Sequence, residues 1–247
     1  MRIFLTLICL GLVLNSCNKD SSISSARDIL TRVWLNSKDV HSTSFSYDAI
    51  STIYHNGKVY GSEEHFYAQQ YPNGLIVKFD SLNSSNGIIF HYDSSYAYQN
   101  NKIEFSNFRP LRLWKQAFSI KFESPDETLE KVFNLGIDTT LISEDTFNNQ
   151  NVYIIGATPG SLKKNQFWID KEKLVTVRVI TYLEERDFLW DVHFEDYLSL
   201  NNSWYAGTVK FYENNILTLV EEHINHQIIP TLPDTFFTPS NFGSLRW

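Results

Sequence analysis

The sequence predicts an α+β protein built mainly from antiparallel strands, and three observations lead there. The apolar period changes from helical to two near residue 44, and returns to helical only between residues 109 and 135. The connections between period-two runs are a few residues of Asn, Asp, Gly and Lys, too short for the crossover helices of a parallel sheet. The chain also carries 18 Phe, 13 Tyr and 6 Trp, the large side chains that strands favour.

Ala26 to Val40 predicts a helix, because Ile29, Leu30, Val33 and Trp34 share one face and Ser25 can cap it. Phe45, Tyr47, Ala49 and Ile53 then alternate with Ser44, Ser46, Asp48 and Thr52, and His55-Asn56-Gly57-Lys58 signals a hairpin. A second strand is expected over Val59 to Gln70, a third over Leu75 to Phe79, and a short pair at Ile88 to Tyr92 and Ser95 to Gln99. Pro110 before LRLWKQAF, and Ser124-Pro125-Asp126-Glu127 before a stripe of Leu129, Val132 and Phe133, mark a helical insert ended by Gly136. Strands resume at Thr140–Phe147, Val152–Ala157, Gln166–Asp170, Leu174–Leu183, Phe188–Tyr197, Trp204–Tyr212 and Leu217–Gln227.

Residues 1–16 have the order of a signal peptide: Arg2, an apolar run from Ile3 to Val13, then small residues. That run is too short to span a bilayer. Leu14-Asn15-Ser16-Cys17 resembles the bacterial lipobox, which implies that Cys17 becomes the first mature residue and carries acyl chains on its sulfur and amine. The expected division is a signal peptide over 1–16, a lipidated N-terminus and tether over 17–25, and one domain over 26–247. The chain has two cysteines; Cys9 falls in the signal and Cys17 is the acylation site. The domain then keeps no thiol, which excludes disulfides, cysteine nucleophiles, zinc–thiolate sites and iron–sulfur centres. A net charge of −7, with no basic stripe, argues against nucleic acid.

The order of helix, meander, helical insert and second meander resembles the Lol-type family of lipoprotein carriers and outer-membrane lipoprotein receptors. The resemblance rests on Val152 to Ala157, on Phe167-Trp168-Ile169-Asp170 before a turn, on Phe194 to Tyr197, on Asn202 to Trp204 and on Pro233 to Pro239. It implies a single curved antiparallel sheet, an incomplete barrel, whose concave face is covered by the N-terminal helix and the helical insert over an apolar cavity. Two departures stand out. The lipobox favours a receptor-like or a divergent ligand-binding role over that of a soluble carrier. Val59 to Gln70 contains no Arg, so the arginine that holds the carrier's lid has no counterpart here.

Several constellations could carry chemistry. Asp191, His193 and Glu195 share one face of a strand, opposite Phe188, Trp190, Val192 and Phe194, and are expected to be a solvated face. His223 and His226, three apart on a strand, should point to opposite faces and not share a metal. Glu63 and His65 should align, with Glu64 facing away. Gly156 to Gly160 lacks the Lys-Ser/Thr of a phosphate loop and is expected to be a turn. No nucleophile elbow is present. The candidate ligand-binding residues are therefore aromatic: Phe45, Tyr47, Trp168, Phe188, Trp190 and Phe194, with Phe167, Ile169, Val175, Val177 and Val179 beside them.

The expected function is that of a membrane-anchored, non-enzymatic binder of an acyl chain or lipoprotein, in envelope lipid or lipoprotein traffic. No cofactor and no metal are expected. The expected location is the envelope of a Gram-negative bacterium, at the outer membrane. A protein-interaction module is the second reading, and a hydrolase using Asp191, His193 and Glu195 the third.

Overall fold

The computed structural model describes residues 23–39, 43–200 and 203–247. The expected signal peptide, Cys17 and the tether as far as residue 22 lie outside the described residues. Helix α1 (Ala26–Ser37) starts where predicted, with the Ser25 hydroxyl accepting from the Asp28 N–H and Ile29, Leu30 and Val33 buried. Strands β1 (Ser44–His55) and β2 (Lys58–Gln70) are joined by Asn56 and Gly57, whose φ angles of 49° and 72° match the twist of a tight hairpin. The meander continues through β3 (Gly74–Phe79), β4 (Gly87–His91), β5 (Ser94–Gln99) and β6 (Lys102–Ser106). The sequence alone passes over β6, whose alternating Ile103 and Phe105 stand exposed at the sheet edge.

The helical insert is two helices, α2 (Arg109–Ser119) and α3 (Pro125–Asn134). A capping box between Ser124 and Glu127 opens α3. The buried Glu123 carboxylate, between the two helices, accepts from Gln116 on α2 and from Thr128 and Lys131 on α3, which fixes their angle.

The second meander comprises β7 (Ile142–Phe147), β8 (Gln150–Ile155), β9 (Gln166–Asp170), β10 (Thr176–Leu183), β11 (Phe188–Glu195), β12 (Leu198–Leu200), β13 (Ser203–Tyr205), β14 (Thr208–Glu213) and β15 (Ile216–Ile228). The strand expected over Trp204 to Tyr212 is thus two. The break is at Gly207, whose N–H reaches the Glu195 and Asp196 carbonyls, and where a Cβ would lie 2.6 Å from the Asp196 oxygen. β13 leaves to pair with β12, and β14 joins β11 and β15.

Among the described residues, thirteen strands form one curved antiparallel sheet in the order β6-β5-β4-β3-β2-β1-β15-β14-β11-β10-β9-β8-β7. The β1–β15 pairing joins the two meanders, and β6 and β7 remain as free edges, so the barrel is incomplete. The helices cover the concave side. There Ile29 and Val33 of α1, Leu113 and Trp114 of α2 and Val132 of α3 meet Phe45, Tyr47, Leu75, Val77, Phe167, Ile169, Val192 and Phe194. The convex side is covered at both ends. Phe237, Phe242 and Leu245 of the C-terminal segment pack on Ala68, Ile76, Ile89 and Tyr98, and Phe147 packs against Val152, Ile154, Trp168 and Val177. Strands buried on both faces explain the unbroken apolar runs at Leu75–Val77 and Val152–Ile155.

Candidate functional site

Helix α2 lies across the concave face, and a cavity opens under each of its halves. Its N-terminal half supplies Leu111 and Trp114 to a cavity of about 350 Å³, walled by Ile53, Val77, Phe79, Ile88, Trp190, Phe211 and Leu219. That volume lies within the range of small-molecule sites, about 300–1,000 Å³. The C-terminal half supplies Ala117 and Phe118 to a second cavity of about 50 Å³, shared with Phe45, Tyr47, Phe194 and Tyr205.

A polar partition separates the two. The rings of Tyr47 and Tyr67 stack at 4.4 Å, Tyr47 lining the small cavity and Tyr67 the large one. Behind them Glu221, 2% exposed, accepts hydrogen bonds from His65 Nδ1 and from the Tyr67 hydroxyl, each at 2.7 Å. Ser51 Oγ lies 3.4 Å from the same oxygen, and His223 Nε2 lies 3.6 Å from the other. The second nitrogen of His65 is 2.7 Å from Glu63. Burial alone would raise the Glu221 carboxyl, but the nearby His223 ring and the hydrogen bond and charge of His65 prevail and hold it at about 2. Burial likewise works against the charge on His65, and Glu221 and Glu63 outweigh it, so its pKa is raised. Both ring nitrogens face carboxylates, the arrangement of an imidazolium donating from each, which leaves no nitrogen to act as a base. Among the described residues, no group of three or more His, Cys, Asp or Glu is placed to hold a metal ion.

His223 and His226 do not point to opposite faces. The β1–β15 register slips between Ser46 and Asp48, and Asn225 takes a φ of 55°. The extra residue is a β-bulge, which turns His226 back to the concave side. Both imidazoles then approach the Tyr47 ring, at 4.6 and 5.3 Å, with their own centroids 6.2 Å apart. An asparagine, tolerant of positive φ, is the one local signal of this bulge in the sequence.

The aromatic candidates divide among three places. Phe45, Tyr47 and Phe194 line the small cavity, and Trp190 lines the large one. Phe188 packs against the same core but borders neither cavity. Trp168 lies on the convex side, where its ring meets Phe147 and Arg178 and its N–H donates to Gln166 at 2.7 Å. Phe167, Ile169 and Val179 face the concave core, and Val175 lines the small cavity while also touching the outer cluster, whereas a second bulge at Val177 places Val177 against that cluster. Glu63 and His65 align as expected.

No protein-family model matches the chain, and no curated protein does. Solved structures match it along most of its length. A LolA superfamily protein from Nitrosomonas europaea superposes with a TM-score of 0.55, covering 87% of this chain and 98% of its own at 12% identity. A domain named for outer membrane lipoprotein sorting, from Vibrio parahaemolyticus, gives 0.56 over 88% and 97% at 12% identity. A DUF1329 family protein from Desulfovibrio piger gives 0.57 over 88% and 97% at 14% identity. The fold is LolA-like. At these identities the likeness concerns the backbone, and the side chains in the two cavities are this chain's own.

On the convex side of this LolA-like sheet, Asp191, His193 and Glu195 do share a face, but it is not a solvated one. Asp191 is 4% exposed and takes a two-pronged bond from Arg178, at 2.9 and 2.6 Å. His193 lies 3.2 Å from Asp191, and Lys210 donates to Glu195 at 2.6 Å. Burial pushes the Asp191 carboxyl up, yet its bonds to Arg178 and His193 prevail and keep it below the usual range. The row is an ion ladder across β10, β11 and β14, covered by the Phe147 and Tyr212 rings against His193.

Proposed function

We propose that this protein is a lipid-anchored, non-enzymatic binder of an acyl chain or an acylated protein, acting in lipid or lipoprotein traffic in a Gram-negative envelope. The observation that carries this reading is the apolar cavity of about 350 Å³ between α2 and the concave sheet. An incomplete barrel cannot close its interior with strands alone, and here the helices leave room for a ligand. Likeness to a domain named for lipoprotein sorting supports the ligand class by analogy of fold. The ion ladder of Asp191, His193 and Glu195 sits on the opposite side, paired to Arg178 and Lys210, which favours a binder over a hydrolase.

Methyl cis-parinarate, a neutral fluorescent acyl probe, tests the cavity. The wild type should bind it saturably. Leu219→Trp, which fills the cavity from β15, should weaken binding at least tenfold while the urea midpoint changes little. If the interior is a packed core, the wild type binds no probe, and the same change overpacks it at a cost of about 1–3 kcal/mol.

The anchor rests on Cys17. No helix among the described residues is long and apolar enough to cross a membrane, and the acyl chains on Cys17 would take that role. Cys17→Ala should abolish labelling by an alkynyl fatty acid in the producing cells and move the protein into the soluble fraction. Full membrane retention without labelling would refute the anchor.

A further inference from the structure

The two cavities under α2 differ in their ionisable groups, and in the large one His65 sits between two of the carboxylates. The large one has Glu63, Glu213 and Glu221 on its polar side. The small one has Lys121, His223 and His226 in its lining and neither Asp nor Glu, in a chain whose net charge is −7.

Lys121 follows the C-terminal end of α2. Its ammonium donates to Ser203 Oγ at 3.1 Å and to the Trp204 carbonyl at 3.2 Å. An ammonium has three donors, and these two neutral acceptors leave one unassigned. The charge sits 4.0 Å from the centre of the Tyr205 ring and 5.8 Å from that of Phe45. No carboxylate offsets the burial, which brings the lysine down to about 7. The two neutral acceptors and the Tyr205, Phe45 and Phe122 rings hold the ammonium without neutralising it, which leaves its charge and one donor for an arriving anion. The cavity of about 50 Å³ exceeds the roughly 10–15 Å³ that one water needs, so it suits a small oxyanion and not an acyl chain.

We infer that the small cavity is the head-group subsite for an amphiphile with an oxyanion head, a carboxylate or a phosphate, whose acyl chain lies under α2. Lys121 supplies the charge, and His223 and His226, turned to one side by the bulge, give the subsite its polar wall. For the chain to reach the large cavity, the stacked rings of Tyr47 and Tyr67 that part the two must yield, and there three glutamates against the single imidazolium of His65 disfavour an anionic head, which sets the orientation. This inference rests on the acyl-binding reading above and adds the chemistry of the head and the direction of the ligand.

The test compares cis-parinaric acid with its methyl ester, in direct titrations of the wild type, Lys121→Met and Lys121→Arg. The wild type should bind the acid at least tenfold tighter than the ester. Lys121→Met should erase that difference by weakening the acid alone, and Lys121→Arg should keep most of it. Displacement by oleate and by lysophosphatidate ranks carboxylate against phosphate, and inorganic phosphate at the same concentration should displace neither probe. Equal affinity for acid and ester in the wild type overturns the inference, and so does a preference for acid that survives in Lys121→Met. Displacement by inorganic phosphate as strong as by the amphiphiles also overturns it, since the cavity would then read the anion without a chain. If the ester binds and the acid gains nothing, the head-group subsite falls and the acyl cavity stands. If neither probe binds, both fall.

Discussion

Glu221→Ala should destabilise the protein by about 4 kcal/mol, the scale for removing one partner of a buried ion pair. Glu221 is the shared acceptor for His65 and Tyr67, which lie 156 and 154 residues away in sequence. Its loss leaves a buried imidazolium with Glu63 alone and a buried phenol with no acceptor. The cost should also depend on pH, with a sign set by both partners. Glu221 is held at about 2, below its ordinary 4.5, so its stabilisation is complete above 4.5 and lost as pH falls through about 2. The pKa of His65 is raised above its ordinary 6.5, so its stabilisation is complete below 6.5 and lost as pH rises through the raised value. The gap between wild type and variant should therefore be widest between pH 4.5 and 6.5. His226, brought down to about 4 by burial and by His223, removes stability from both proteins as pH falls below 6.5, and so largely cancels in the difference. Urea melts of the two proteins across pH 4 to 9 measure this. A gap that is flat across that range would show that His65 is not charged in the partition.

Asp191→Ala should cost about 3 kcal/mol, because it strips Arg178 of both its bonds in a site where that guanidinium is mostly covered. Arg178 also lies 4.7 Å from the Trp168 ring and 5.3 Å from the Phe147 ring, so the loss should spread into the outer cluster. Trp168 fluorescence should report it alongside the urea midpoint. A solvated strand position would cost no more than about 0.5 kcal/mol, so a change that small would restore the sequence expectation for this face. Because the ladder lies on the far side of the sheet from both cavities, binding of methyl cis-parinarate to the folded variant should be unchanged.

The contrast between these two sites shows where local sequence signals end. Period two alone puts Asp191, His193 and Glu195 on one face of β11, and they share that face in the structure. That the face is covered depends on Arg178 and Phe147, which come from other strands, and no pattern within β11 can announce them. The same limit applies to Trp168. Its strand is buried on both faces, so alternation cannot say which side of Gln166–Asp170 faces the helices.

The sequence by itself determined what short-range forces set: α1 with its serine cap, the Asn-Gly hairpin, the start of α3 at Ser124-Pro125, the antiparallel meanders and the helical insert between them. Each depends on residues within a few positions of one another, and so each is written locally. The tertiary structure alone decided the β1–β15 pairing that curves the sheet into one trough, and the bulges at Val177 and Asn225 that reassign faces. It also decided the meeting of His65, Tyr67 and Glu221 between the two cavities under α2. These arise from contacts between segments far apart in the chain, as in the pairing of Phe45 with Ile228. A one-residue slip in a strand reverses every side chain beyond it, so the identity of the cavity walls is settled only when the strands have paired.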